Sequence, residues 1–120
     1  MQVKIHQTGK RDIAEIISDE LIINSVQDAL DLMVQEECHN SEIFILHEKN
    51  ICPDFFNLRT GLAGEILQKF INYNKKLAVI GEFSKYNSNS LRAFIIECNR
   101  GRQFFFNSNA EEAIEKFSRN

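Results

Sequence analysis

Apolar and polar residues alternate in two short stretches near the start of the chain, QVKIH (2–6) and DIAEIIS (12–18). Alternation with a period of two is typical of a β-strand that buries one face. Only the polar stretch QTGKR, which carries Gly9, separates the two segments. Two alternating segments joined this tightly predict a β-hairpin.

Farther along, helical stripes alternate with short, almost unbroken apolar runs. Apolar residues at helical spacing predict helices over 25–38, over LRTGLAGEILQKFINY, over LRAFIIECNR and over the stretch that Ser108 opens. Ser25 is a capping residue for the first helix, Asn57 or Thr60 for the second, and Ser88 or Ser90 for the third. The apolar runs predict strands that are covered on both faces, at EIFILH (42–47), KLAVIGEF (76–83) and QFFF (103–106).

The predicted element order is ββαβαβαβα. Strands that alternate with helices pair in parallel through right-handed crossovers, and the initial hairpin adds an antiparallel strand at or near one edge. A chain of 120 residues is an ordinary length for one domain, since domains of about 100–150 residues are the commonest. The pattern therefore predicts a single α/β domain over 1–120 with a mixed sheet.

Composition narrows the function classes. With 26% charged residues, ten phenylalanines and a single proline, the chain is not of the disordered class. A formal net charge of -3 argues against binding to nucleic acid or to an anionic membrane. No apolar run approaches the roughly 20 residues of a membrane span, and no signal peptide is expected. The three cysteines, Cys38, Cys52 and Cys98, have unrelated spacings. They predict unpaired thiols in a cytoplasmic protein.

Candidate binding residues gather at one predicted edge of the sheet. Ligands of open α/β sheets bind outside the carboxyl ends of the parallel strands. Those ends lead into His47 and Glu48 after the third strand. Two helix starts, at Thr60–Gly61 and at Ser88–Ser90, are expected on the same edge, with Arg59, Lys85 and Arg92 nearby. Such an edge suits an anion or a phosphate, although the hydroxyls also suit simple helix capping.

No metal site or cofactor is expected. His6, His39 and His47 are scattered along the chain, and HEKN (47–50) is not the HExxH zinc motif. As sequence neighbours at a strand end, His47 and Glu48 diverge, so a structural hydrogen bond from the histidine to the following loop is favoured over acid–base chemistry.

Other positions admit a functional or a structural interpretation. Cys52 in a loop suits a nucleophile only if His47 folds back onto it. Gly64, inside a predicted helix, favours close packing against the sheet, whereas Gly61 suits packing and ligand approach equally. Of Phe55 and Phe56, only one is expected to point inward, and an exposed phenylalanine there suits a protein contact.

The element order, with these lengths, resembles the STAS fold of anti-sigma-factor antagonists. In that family a strand is followed by Phe-x-Asp-Ser-Ser-Gly-Leu-Gly leading into a helix. The stretch FNLRTGLAG (56–64) resembles it at Phe56, Thr60, Gly61 and Leu62. The closing segment CNRGRQFFFNSNAEEAIEKF also resembles that of the family.

Two departures from the STAS pattern bear on regulation. Leu58 occupies the position of the aspartate and Arg59 that of the phosphorylated serine. Arg59 has no hydroxyl to take the phosphoryl group that the serine of that family accepts, so we expect no phosphorylation switch of the STAS kind.

At closer range, nearly all of the chain is similar to domain of unknown function family 4180, a bacterial group of small proteins. The most specific matching segments are NSVQDALDLM, ILHEKN, DFFNLRTGLAGEILQKFINY, KLAVIGEFSKY, SLRAFI and ECNRGR. The resemblance implies no activity.

Two function hypotheses follow. The favoured one is a small, non-catalytic regulatory or binding module. It contacts a protein partner or a small anion through the 47–61 loop and the following helix start, using His47, Glu48, Phe55, Arg59, Thr60, Gly61, Ser90 and Arg92. The alternative is a small enzyme or nucleotide-binding protein that uses His47, Glu48 and Arg59. A deep pocket would favour the enzyme, and a flat edge with an exposed phenylalanine would favour the module.

Overall fold

A computed structural model describes residues 1–38 and 41–119, so His39 lies outside the described residues. The strands of the described part are β1 Gln2–Gln7, β2 Asp12–Ile17, β3 Ile43–His47, β4 Lys76–Ile80 and β5 Phe104–Asn107. Its α-helices are α1 Val26–Met33, α2 Pro53–Phe56, α3 Leu62–Asn72, α4 Asn89–Arg100 and α5 Ala110–Arg119.

The five strands form one mixed sheet in the order β1-β2-β3-β4-β5. β1 pairs antiparallel with β2 at the edge, and all other pairs are parallel. This confirms the predicted α/β class and the ββαβαβαβα order of the main elements. The short helix α2 is an addition, because its four residues are too few to show a helical stripe in the sequence.

Alternate residues of the strands point to opposite faces of the sheet and contribute to two apolar layers. One layer joins Ala14, Phe44, Leu77 and their neighbours to side chains of α1, α3 and α4. The other joins Ile13, Ile45, Ala78 and Phe105 to α5. That second layer includes one residue of β2 and none of β1. The helix α5 therefore leaves uncovered most of the sheet face that β1 and β2 form.

Hydrogen bonds from side chains show which of the predicted capping residues begin α1 and α4. Ser25 accepts a hydrogen bond from the Asp28 backbone N–H and begins α1, while Ser88, rather than Ser90, accepts from Leu91 and begins α4. The first helix ends at Met33 and not at residue 38, because the chain turns there and leaves Val34 exposed.

The packing role expected for Gly64 is wrong. Gly64 is exposed, and a Cβ placed there would meet no atom within 4 Å. The sheet side of α3 is formed by Ala63, Ile66, Leu67 and Phe70 instead. A glycine is needed at position 61 because of the backbone conformation there. The φ of Gly61 is 76°, a left-handed value that favours glycine.

All three cysteines are free. Cys38 and Cys52 are buried, so Cys52 is not the accessible nucleophile that its loop position suggested, and the side chain of His47 bonds to Glu15. Burial, with the charge of Glu97, raises the pKa of Cys98 to about 11. A thiol with so high a pKa is a poor nucleophile at neutral pH.

Candidate functional site

Glu48 anchors the edge of the sheet where β3 and β4 end. Its Oε2 accepts a hydrogen bond from the Tyr86 hydroxyl and lies 2.9 Å from Lys85 Nζ. Gly81, directly after β4, makes room for this carboxylate, because a Cβ there would lie 2.8 Å from Glu48 Cβ. Burial and the bond to Glu48 raise the pKa of Tyr86 above its usual value, so its hydroxyl stays protonated as a donor.

Phe55 and Phe56 are both buried, so the expectation that one of them is exposed for a partner is wrong. The reason is α2, whose single turn aims both rings into the protein, 5.1 Å apart. Phe56 also stacks on Tyr86 at 5.3 Å between ring centroids. The two phenylalanines thus support the edge from beneath, and neither ring is exposed.

An apolar cleft of about 450 Å³ lies over this aromatic support. Its apolar lining comes from Leu21, Ile51, Pro53 and Phe56, and its polar lining from Glu48, Lys49, Lys85 and Tyr86. Leu21 is 54% exposed, so this lining includes apolar surface open to solvent.

Asn50, fully buried, holds the two segments of the cleft together. Its side-chain amide donates to the backbone oxygens of Ser18 and Glu20, at 2.8 and 2.9 Å. The loop that carries Leu21 is therefore tied to the segment after β3, and the position of Leu21 follows from the fold.

A second depression, of about 440 Å³, is lined by Asn57, Leu58, Arg59, Ser88 and Ser90. Arg59 is exposed and has no ion-pair partner within residues 1–38 and 41–119. The depression therefore joins a free guanidinium to the first turn of α4, as the sequence predicted for Arg59 and Ser90.

The remaining predicted residues lie outside this depression. The Thr60 hydroxyl lies 2.7 Å from the Asp54 backbone oxygen and accepts a hydrogen bond from the Leu62 N–H, so it shapes the turn before α3. Arg92 donates to Asn89 on its own helix at 3.2 Å. Gly61 supplies the left-handed link between this turn and α3.

The apolar cleft and the cationic depression are neighbours along the chain. Phe56 ends one lining and Asn57 begins the other, and Tyr86 of the first is two residues from Ser88 of the second. We call the two together the furrow; its walls are the 48–59 and 85–90 segments, with Leu21 at one end.

A separate polar cluster occupies the part of the sheet that lies beyond α5. Glu15 on β2 is 7% exposed, and its two oxygens lie 2.8 Å from His6 Nε2 and 2.9 Å from His47 Nε2. Burial raises the pKa of Glu15, but the hydrogen bonds and charges of the two histidines outweigh it, so the pKa lies below its usual range. His47 thus faces Glu15 and not Glu48, and its backbone N–H donates to Asn50 in the following loop.

Glu15 is not among the site residues predicted from the sequence. It is the one charged side chain inside the apolar stretch IAEII, and a buried charge needs a partner. That signal marks Glu15 but does not name its partners, which are 9 and 32 residues away. Among the residues that the structure describes, no group of three His, Cys, Asp or Glu side chains is placed to hold a metal ion.

Comparison with known proteins identifies the family. The family described as "Domain of unknown function (DUF4180)" matches residues 8–117. The chain belongs to this DUF4180 family. No curated protein and no solved structure matches it, so the STAS resemblance stays a prediction.

The residues that match DUF4180 contain the whole furrow together with Glu15 and His47, whereas His6 precedes them. None of the helices described in this DUF4180 protein has the length and apolar character needed to cross a bilayer.

Proposed function

We propose that this DUF4180 protein is a non-catalytic binding module whose furrow holds a segment of a partner protein. The segment places an apolar side chain in the cleft and an adjacent acidic group in the depression beside Arg59. A regulatory role in the cytoplasm of a bacterium belongs to the same proposal. The observation that supports it is that the two linings adjoin along the chain at Phe56 and Asn57. An apolar lining is thereby followed by an arginine that has no ion-pair partner among the described residues.

The apolar half supplies affinity. Leu21, which is 54% exposed, and Pro53 are the exposed apolar residues of the cleft lining. Complete burial of a leucine side chain contributes about 1.5–3 kcal/mol. A partner residue that covers Leu21 and Pro53 would gain a part of this, on a floor that Phe56 and Tyr86 keep in place.

The polar half supplies selectivity for an anion. A guanidinium binds a carboxylate or phosphate with two parallel hydrogen bonds. The N-terminus of α4, a helix of 12 residues, adds backbone N–H groups and a favourable dipole on the other side of the depression.

What supports binding over catalysis is the separation of the three candidate catalytic residues. His47 is held by Glu15, Glu48 is held by Tyr86 and Lys85, and Arg59 lines a different depression. No side-chain hydrogen bond or ion pair in the described structure joins any two of the three. The alternative of an enzyme that uses them therefore has no arrangement to support it.

The test is a displayed library of random peptides selected on the immobilised protein. We expect selected peptides to carry an apolar residue next to Asp or Glu. Arg59→Ala should weaken their binding at least about tenfold, because a hydrogen bond to a charged group contributes about 1.5–3 kcal/mol and about 1.4 kcal/mol is a factor of ten. Leu21→Ser should also weaken it.

Matched controls are available on other surfaces. Arg119→Ala on α5 and Val34→Ser after α1 change exposed residues of the same types and should leave affinity unchanged. Selected peptides that bind equally well to the Arg59 and Leu21 variants would contradict the proposal. Binding of inorganic phosphate alone, without any peptide, would replace the protein partner with a small anion.

A further inference from the structure

Basic side chains come together at the amino ends of the parallel strands, which is the end of the sheet opposite the furrow. The Lys76 backbone N–H donates to the Glu42 backbone oxygen at 2.8 Å, and Arg11 Nε lies 3.4 Å from Glu42 Oε2. Glu42 therefore links Arg11, directly before β2, to Lys76 at the start of β4.

Arg102 reaches the same place from the residues before β5. The backbone N–H of Leu77, next to Lys76, donates at 3.0 Å to the backbone oxygen of Gln103, next to Arg102. Burial lowers the pKa of Lys76, and so do the charges of Arg11 and Arg102. The three cations are thus close enough to repel one another. We call Arg11, Lys76 and Arg102 the cationic trio.

The described part of the chain does not compensate this positive charge. Lys76 and Arg102 have no ion-pair partner there, and Arg11 has only Glu42, whose side chain is 59% exposed. Nη1 of Arg11 is buried without a hydrogen-bond partner, although buried donors are nearly always bonded. Asp12, next to Arg11, forms no ion pair with the trio. Three cations beside one paired carboxylate leave an excess of two positive charges.

We propose that the cationic trio binds a small anion of the phosphate type that carries two or more negative charges. Such an anion matches the excess charge, and its several oxygens accept hydrogen bonds from guanidinium and ammonium groups. A formal net charge of -3 for the whole chain disfavours a long polyanion such as a nucleic acid. The proposal does not rest on the proposed function, because no residue of the trio lines the furrow.

The experiment is thermal unfolding in increasing sodium pyrophosphate, compared with sodium chloride at the same ionic strength. Every protein in the series also carries Arg59→Ala, so that an anion beside that guanidinium does not contribute. We expect pyrophosphate to raise the melting temperature beyond the effect of chloride, because a ligand that binds only the folded state stabilises it.

Variants of the trio should reverse their effect when the anion is added. At low ionic strength without pyrophosphate, Lys76→Met and Arg102→Gln should melt no lower than the reference protein, because each removes repulsion within the trio. In pyrophosphate each should lose most of the rise and melt below the reference. A purely structural role for either side chain would not produce this crossover.

Matched variants separate the site from general charge effects. Lys69→Met on α3 removes a lysine that is partly buried like Lys76 and has no ion-pair partner in the described part of the chain, and it should keep the full rise. Glu42→Gln should enlarge the rise, because it removes a carboxylate that competes for Arg11.

Three outcomes would overturn the proposal. One is a rise in pyrophosphate no larger than that in chloride, and another is a rise that survives both Lys76→Met and Arg102→Gln. The third is stabilisation by a single-stranded oligonucleotide at a lower phosphate concentration than pyrophosphate requires, which would exclude a small anion as the preferred ligand.

Discussion

Replacement of Glu15 by glutamine is a sharp test of the polar cluster on the sheet. The carboxylate offers one oxygen to His6 Nε2 and the other to His47 Nε2. Glutamine keeps the shape but offers only one oxygen, so one imidazole N–H would face an NH₂ group. A hydrogen bond to a charged group contributes about 1.5–3 kcal/mol. Since both histidines are partly open to water, we expect Glu15→Gln to lower the free energy of unfolding by about 1–3 kcal/mol at neutral pH.

The effect should depend on pH in a definite direction. The pKa of Glu15 is lower in the folded protein than its usual value of about 4.3. The stabilisation by its charged form is therefore complete above that usual value and is lost as the pH falls through the lower folded value. Glutamine does not titrate, so the wild type and Glu15→Gln should become more alike in acid.

The measurement is urea unfolding followed by circular dichroism, from neutral pH down to the most acidic pH at which the wild type still folds. Glu20→Gln, on an exposed glutamate, is the control and should change stability by less than about 0.5 kcal/mol. A Glu15→Gln protein as stable as the wild type at neutral pH would refute the role given to the carboxylate. A difference that persists undiminished in acid would show that its charge is not the cause.

Three glycine substitutions give further predictions that thermal unfolding checks. Gly81→Ala should cost about 1–3 kcal/mol by overpacking against Glu48, and an unchanged melting temperature would contradict the close approach. Gly61→Ala should cost about 1–2 kcal/mol because alanine is strained at a φ of 76°; a neutral effect would mean that the turn is not held there. Gly64→Ala, measured in dilute solution, should gain about 0.5–1 kcal/mol, and destabilisation would restore a packing role for this glycine.

Most of the fold could be predicted because each main element has a recognisable pattern of apolar residues in the sequence. The hairpin of β1 and β2 follows from two alternating stretches, and the buried strands β3 and β4 from unbroken apolar runs. The segment between β3 and α3 could not be predicted in the same way. There, α2 is a single turn, and its rotation decides that Phe55 and Phe56 both point inward.

The candidate site shows the same limit. Arg59 and Ser90 could be placed together, because loops that follow parallel strands meet at one edge of the sheet. The partners of His47 and Glu48 depend on strand register and on how the 85–90 loop returns. Spacing in the sequence therefore cannot show that Glu15 faces His47 or that Tyr86 bonds to Glu48.

The most direct test of the furrow as a binding site is an NMR titration of isotopically labelled protein with the tightest peptide from the library. We expect backbone amide shifts to concentrate in 48–60, in 85–92 and near Leu21. At the same peptide concentration, the shifts should be much smaller in Arg59→Ala. Shifts that centre on another surface, such as α5, would contradict the assignment of the furrow as the site of binding.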